Sequence, residues 1–173
     1  MKRRAIIVIV VFAFGVAVGA LARGKAIVEP VMYRGQPNDA VVRALLAVAR
    51  EQAGRGSWER IAVGRAYYLA GMKKEGQEIF DSIHKQEDSD LLRIGRVYYE
   101  AGEWEKAKQT FERVVQMAPK NASWFAEIGA CYNDKGDRVR AEELFAKAFE
   151  LEPDEVWHTV NIAGSYAGVE PLR

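Results

Sequence analysis

The sequence predicts an all-α fold of stacked helical hairpins, and three observations predict it. Tyrosines recur at positions 67, 98, 132 and 166, with spacings of 31, 34 and 34 residues. Small residues keep register with them: Gly64, Gly95, Gly129 or Ala163 three places before, and Gly71, Gly102 and Gly136 four places after the first three. Phe80, Phe111 and Phe145 lie nine residues beyond those glycines, each preceded by Gly76, Ala107 or Ala141, and Pro119 and Pro153 close the second and third units. Columns that move together at such a period mark a repeat architecture. Past the first stretch, no β-branched alternation marks a strand.

The chain opens with Lys2, Arg3 and Arg4, followed by an unbroken apolar run over residues 5–22. As a helix these eighteen residues span ~27 Å, close to the ~30 Å of a hydrocarbon core. Residues 1–22 therefore read as a transmembrane anchor or a signal segment. Ala20, Leu21 and Ala22 have the small-x-small form that a signal peptidase accepts, but the run exceeds the usual ~7–15 apolar residues of a signal and favours an uncleaved anchor. A basic N-terminus held in the cytoplasm sends the remainder across the membrane. Arg23 and Lys25 pull against that orientation. Gly15 and Gly19 form a GxxxG pair, a spacing through which membrane helices can approach closely, and so offer a route to a homo-oligomer.

Residues 23–37 contain Pro30 and Gly35 without a clear period, and are expected to be an extended tether. Residues 38–56 hold an extra helix, with apolar positions 41, 42, 45, 46, 48 and 49 starting just after Pro37. Three repeats follow over 57–87, 88–121 and 122–154, then a cap helix over 155–168 and a short tail, 169–173. Each column has a physical reason. Gly95 against Ala107, and Gly129 against Ala141, let two antiparallel helices approach. Tyr98, Phe111, Tyr132 and Phe145 fill the space between that pair and the next helix. Glycine at 71, 102 and 136 ends a first helix in the left-handed region. Proline at 119 and 153 stops a second helix. Asn121 or Ser123, and Asp154, are candidate N-caps for the helices that follow. The first unit departs from the others, with Gly76 in place of alanine and a second helix three residues short.

Beyond residue 23 the chain carries twenty-one basic against twenty-four acidic side chains, a net −3. A mildly acidic body lacks the footprint of a nucleic-acid binder. Cys131 is the single cysteine, which rules out an intramolecular disulfide, and its helical setting reads as core filler. His84 and His158 stand in different units, with no cluster of metal ligands around them. Gly54, Arg55 and Gly56 are too short for a phosphate loop, and no nucleophile elbow occurs. Glu142, Glu143 and Lys147 share a helix face of the kind that is solvated and paired along the helix. No catalytic set, cofactor site or metal site is predicted.

These residues resemble the tetratricopeptide repeat family. The second unit carries its pattern at Leu92, Gly95, Tyr98, Ala107, Phe111 and Pro119. The third does so at Ile128, Gly129, Tyr132, Ala141, Phe145, Ala148 and Pro153. Residues 156–168, with Ile162, Ala163 and Tyr166, look like the solvating cap helix of such arrays. The resemblance covers residues 57–168 and implies a right-handed superhelix of about three and a half repeats. It further implies a partner-binding groove lined one and four places after each repeat glycine: Arg65 and Tyr68, Arg96 and Tyr99, Ala130 and Asn133. In that reading Tyr67 and Tyr98 face the core, while Tyr68 and Tyr99, turned about 100° away, face the groove. Members that clamp a chaperone's C-terminal carboxylate use lysine and asparagine where this chain has Ile61, Arg65, Arg93, Ser123 and Glu127, so that activity is not implied.

The expectation is a non-catalytic, membrane-tethered scaffold that binds a protein or peptide segment. Its predicted location is the bacterial inner membrane with the array facing the periplasm, or the periplasm itself if residues 1–22 are cleaved. The alternatives are an organelle-surface transport receptor or co-chaperone with a cytosolic array, and a structural subunit of an envelope enzyme complex.

Overall fold

The computed structural model describes residues 26–169. Within them the chain forms α1 (Asn38–Gln52), α2 (Ser57–Leu69), α3 (Lys73–Asp81), α4 (Asp88–Glu100), α5 (Trp104–Met117), α6 (Ala122–Asp134), α7 (Arg138–Leu151) and α8 (Val156–Tyr166), with no strand. The apolar segment 1–22, its GxxxG pair and nearly all of the tail lie outside the described residues. No described helix is long and apolar enough to cross a membrane.

Helices α2/α3, α4/α5 and α6/α7 pair as hairpins, and α8 packs mainly on α6. Gly71, Gly102 and Gly136 end the first helix of each pair at φ of 85°, 74° and 81°. After each of them the same bond closes the turn, a backbone N–H two residues past the cap reaching back to the repeat tyrosine. Met72 N donates to Tyr67 O at 3.0 Å, Glu103 N to Tyr98 O at 2.8 Å and Asp137 N to Tyr132 O at 3.0 Å. The small columns sit where backbones meet. A Cβ on Gly95 would lie 2.6 Å from the Phe111 ring, and one on Gly129 2.6 Å from Phe145. Gly76 is tighter against backbone, since a methyl there would lie 2.7 Å from the Gly64 carbonyl oxygen. That explains the departure from alanine in the first unit. The core runs continuously through the stack, with Phe80, Phe111, Phe125, Leu144 and the repeat tyrosines Tyr67, Tyr98 and Tyr132 buried along it, while Tyr166 on the last helix is exposed.

Helix α3 has nine residues where α5 and α7 have fourteen, which accounts for the shorter first spacing. The connection after it includes Lys85 at φ +56°, a conformation uncommon outside glycine. Helices α5 and α7 end two residues before Pro119 and Pro153. Three expectations need correction. Of the two candidates for α6 Asn121 is the cap, as expected, but Glu155, not Asp154, caps α8 by accepting from Trp157 N at 3.0 Å. The longer glutamate side chain reaches back to the helix's free N–H groups from the last extended position. The tether is not extended throughout, since residues 30–32 form a 3-10 turn and Gln52 of α1 donates to the Ala26 carbonyl at 2.8 Å. Finally, the outward face of α8 is apolar rather than solvating, with Val156, Trp157 and Val160 exposed.

Candidate functional site

The first helices α2, α4, α6 and α8 stand side by side, and their exposed edge carries the residues predicted to line a groove. The structure brings those residues together as rungs between units. Arg65 on α2 pairs with Glu100 on α4 at 2.6 Å, and Arg96 on α4 with Glu127 on α6 at 3.0 Å. The Tyr99 hydroxyl donates to Asp134 at 2.8 Å, and the Asn133 amide to the Ser165 hydroxyl on α8 at 3.2 Å. Trp124 on α6 reaches back to Asp88 at 2.7 Å. Helices α4 and α6 are bridged by these long side chains, whereas the backbones of α2/α4 and α6/α8 approach more closely.

Tyr68 does not face a groove. It is 1% exposed, with its ring 6.0 Å from that of Phe80 and 5.6 Å from that of Tyr98. A turn of 100° from Tyr67 does carry it off the face that Tyr67 occupies, but α4 and the turn into α5 cover the new direction. Its hydroxyl donates to Glu103 at 2.7 Å and accepts from Lys106 at 3.1 Å. Lys106 and Lys73 each reach the same carboxylate at 2.6 Å, so with Tyr68 three donors hold Glu103 down to about 2. Ala130 is also buried. Arg65, Arg96, Tyr99 and Asn133 remain half-buried.

A second set of rungs runs along the other side of the stack. The hydroxyls of Tyr98, Tyr132 and Tyr166 donate to Gln77, Glu112 and Glu142, each on the second helix of the preceding unit. Cys131 is core filler, its thiol pushed up to about 12 by burial. His158 is buried, with Nε2 at 3.2 Å from the Ser123 hydroxyl. Among the described residues, no three His, Cys, Asp or Glu side chains converge as metal ligands would. Glu142 and Glu143 pair with Arg138 and Arg140 at 2.8 and 2.9 Å, while Lys147 lies over the Phe125 ring.

The concave edge between α2 and α4 opens into a cavity of about 250 Å³ bordered by Trp58, Ile61, Arg65, Arg93, Arg96 and Glu100. Trp58 is 63% exposed, and the Arg93 guanidinium lies 3.6 Å from its ring centroid. Arg93 also donates to the Ser89 carbonyl at 2.9 Å, and desolvation lowers its basicity. Glu127, below the pair Arg93 and Arg96, is raised by burial despite both cations. Three guanidiniums, those of Arg65, Arg93 and Arg96, thus lie among the carboxylates of Glu100, Glu127 and Asp90, the last acting on Arg93. Trp58 was missed as a site residue in the sequence. Its signal was faint, a tryptophan six places before the repeat glycine, in register with Ser89 and Ser123, with no aromatic at that place in the next two units.

Stacked helical hairpins with an open edge are the architecture on which protein–protein interaction scaffolds are built. Residues 98–163 match the tetratricopeptide repeat family. The crystal structure of MamA resembles the chain with a TM-score of 0.50 and 16% identity, over 75% of this chain and 77% of that one. At that identity the likeness speaks to fold alone, and the fold is that of a tetratricopeptide-type array. No curated protein matches the sequence.

Proposed function

We propose that this protein is a non-catalytic scaffold tethered to the bacterial inner membrane by residues 5–22, with its array facing the periplasm. There it binds a partner protein segment at the concave cavity between α2 and α4. The observation that carries this reading is Trp58. An indole exposed to 63% gains little for folding, yet Arg93 stacks on it beside an apolar wall of Ile61 and the guanidiniums of Arg65 and Arg96. Exposed aromatic anchors set among arginines are the composition of binding hot spots. The cavity suits one or two side chains rather than a whole small molecule. Each guanidinium has five N–H donors, so an arginine already bridging to a glutamate keeps donors for an incoming carboxylate. The segment that fits carries an apolar side chain next to an acidic one. Membrane tethering is supported by the basic-then-apolar N-terminus, and recruitment in envelope assembly by its union with a helical-repeat array.

Affinity capture from detergent-solubilised membranes tests the site by comparing the wild type with Trp58→Ala/Arg93→Ala. Both side chains lie outside the core, so helicity by circular dichroism should persist while the captured partner disappears. The same proteins captured by both would place binding elsewhere. A C-terminal reporter active only outside the cytoplasm tests the orientation. A cytoplasmic array would overturn the envelope reading in favour of the cytosolic-receptor alternative.

A further inference from the structure

The stretch before α1 folds back along that helix and turns its apolar side chains outward. Its start is fixed by Gln52, the last residue of α1, which donates to the Ala26 carbonyl at 2.8 Å. From there the chain passes through the 3-10 turn Pro30–Met32, which packs on α1, and enters the helix at Asn38. Met32 N donates to Glu29 O and Arg34 N to Pro30 O, each at 2.9 Å, and these bonds close the turn. Even so, Ile27, Val28, Val31 and Tyr33 are 62%, 45%, 67% and 43% exposed. A turn held by its own backbone with four large apolar side chains uncovered is a surface for something else to cover. Glu29 and Arg34 are the charged residues between positions 26 and 38, and they cancel, so this surface is apolar without net charge.

We infer that the cover is the bilayer holding residues 5–22, with Ile27, Val28, Val31 and Tyr33 seated in its interfacial zone. The inference rests on the reading of residues 5–22 as a membrane anchor. Reach selects the occupant. Residue 22 stands four residues before Ala26, and four residues span at most ~14 Å. Ala26, pinned to the end of α1, therefore stays within that distance of the anchor, and the apolar turn begins at the next residue. A partner protein covering the turn would have to enter this gap, whereas the membrane surface is already there. The apolar face of α8 differs, because it lies at the opposite end of the array and no short link ties it to the anchor. Composition agrees with reach. Aliphatic side chains enter the boundary between headgroups and acyl chains by apolar burial, and a tyrosine ring sits at headgroup level. Docking makes residues 26–37 a mount rather than a leash, and sets α1 and the first repeat against the bilayer.

Reconstitution of the full chain in vesicles of zwitterionic phosphatidylcholine tests this. A polarity-sensitive fluorophore is placed on Val31→Cys and, as a control, on Val139→Cys, exposed on α7. Buried Cys131 leaves the added thiol as the reactive one. Spin-labelled lipid should quench the residue-31 probe several-fold more than the residue-139 probe. The difference should persist at high salt, because apolar burial is not screened. Val28→Asp/Tyr33→Asp should cut the quenching at residue 31 several-fold while circular dichroism stays helical and the chain still floats with the vesicles. A chain that floats but is quenched no more at residue 31 than at 139 overturns the inference and leaves the anchor reading standing. Quenching that survives Val28→Asp/Tyr33→Asp also overturns it, since nearness to the anchor would then be the cause. A chain that does not float overturns the anchor reading and the inference together. In native membranes, a photocrosslinker on Val31→Cys should take up lipid, and linkage to one protein instead would assign the turn to that protein and overturn the inference.

Discussion

At the scale of the residue, adjacent tyrosines in the Gly-Arg-x-Tyr-Tyr pattern meet different fates. Tyr68 is enclosed between Phe80, Tyr98 and the Glu103 cluster, whereas Tyr99 is half-buried, with its hydroxyl at Asp134. Their substitutions should separate accordingly. Tyr68→Phe keeps the packed ring and removes one hydroxyl from the cluster, a loss of about 1 kcal/mol. Tyr68→Ala opens the core between the first two units and should cost ~3–5 kcal/mol. Tyr99→Ala should cost less than Tyr68→Ala. Urea unfolding midpoints give the order, and a Tyr68→Ala as mild as Tyr99→Ala would contradict the buried placement.

At the scale of the element, the hairpin turn and the helix-to-helix approach each depend on a missing side chain. Gly102 turns the chain at φ +74° with open space around it, so Gly102→Ala meets no neighbour and suffers only backbone strain, ~1–2 kcal/mol. Gly76→Ala is different in kind. Its methyl would press on the Gly64 carbonyl and the Tyr68 backbone, which cannot rotate away, and α2 and α3 must separate at ~1–3 kcal/mol. A Phe80→Leu change made with Gly76→Ala should not restore stability, because the obstruction is backbone. Thermal unfolding of the single and double variants measures this. Gly76 was legible in the sequence only as a departure from alanine; its cause lies in the neighbouring helix.

At the scale of the whole molecule, the units contact only their neighbours, so stability is nearly a sum over hairpins and the rungs between them. The rung centred on Glu103 ties Tyr68 and Lys73 of the first unit to Lys106 of the second. Its carboxyl is depressed to about 2 in the folded state by those donors. The stability it contributes is fully present above the ordinary carboxylate value of 4.5 and is lost as the pH falls toward 2. Glu127, raised by burial, has the opposite sign, since its contribution falls as the pH rises. Glu103→Gln should therefore lower stability at pH 7 and flatten its decline between pH 4.5 and 2, read from urea titrations across that window. An unchanged acid slope would show that the cluster does not couple the units.

The repeat columns alone determined the helical hairpins and the packed positions of Tyr98, Phe111, Tyr132 and Phe145. They could do so because turns and close approaches impose local demands, a glycine for φ above zero or a small residue at contact, that leave marks at fixed spacing. The tertiary structure decided which outward faces stay outward. Tyr68 stands at a groove position by register yet is covered, Trp58 stands outside the predicted groove positions yet is open, and the cap helix keeps an apolar stripe where a solvated one was expected. Exposure depends on what neighbouring units lay across a face, and a single helix's periodicity holds no record of that.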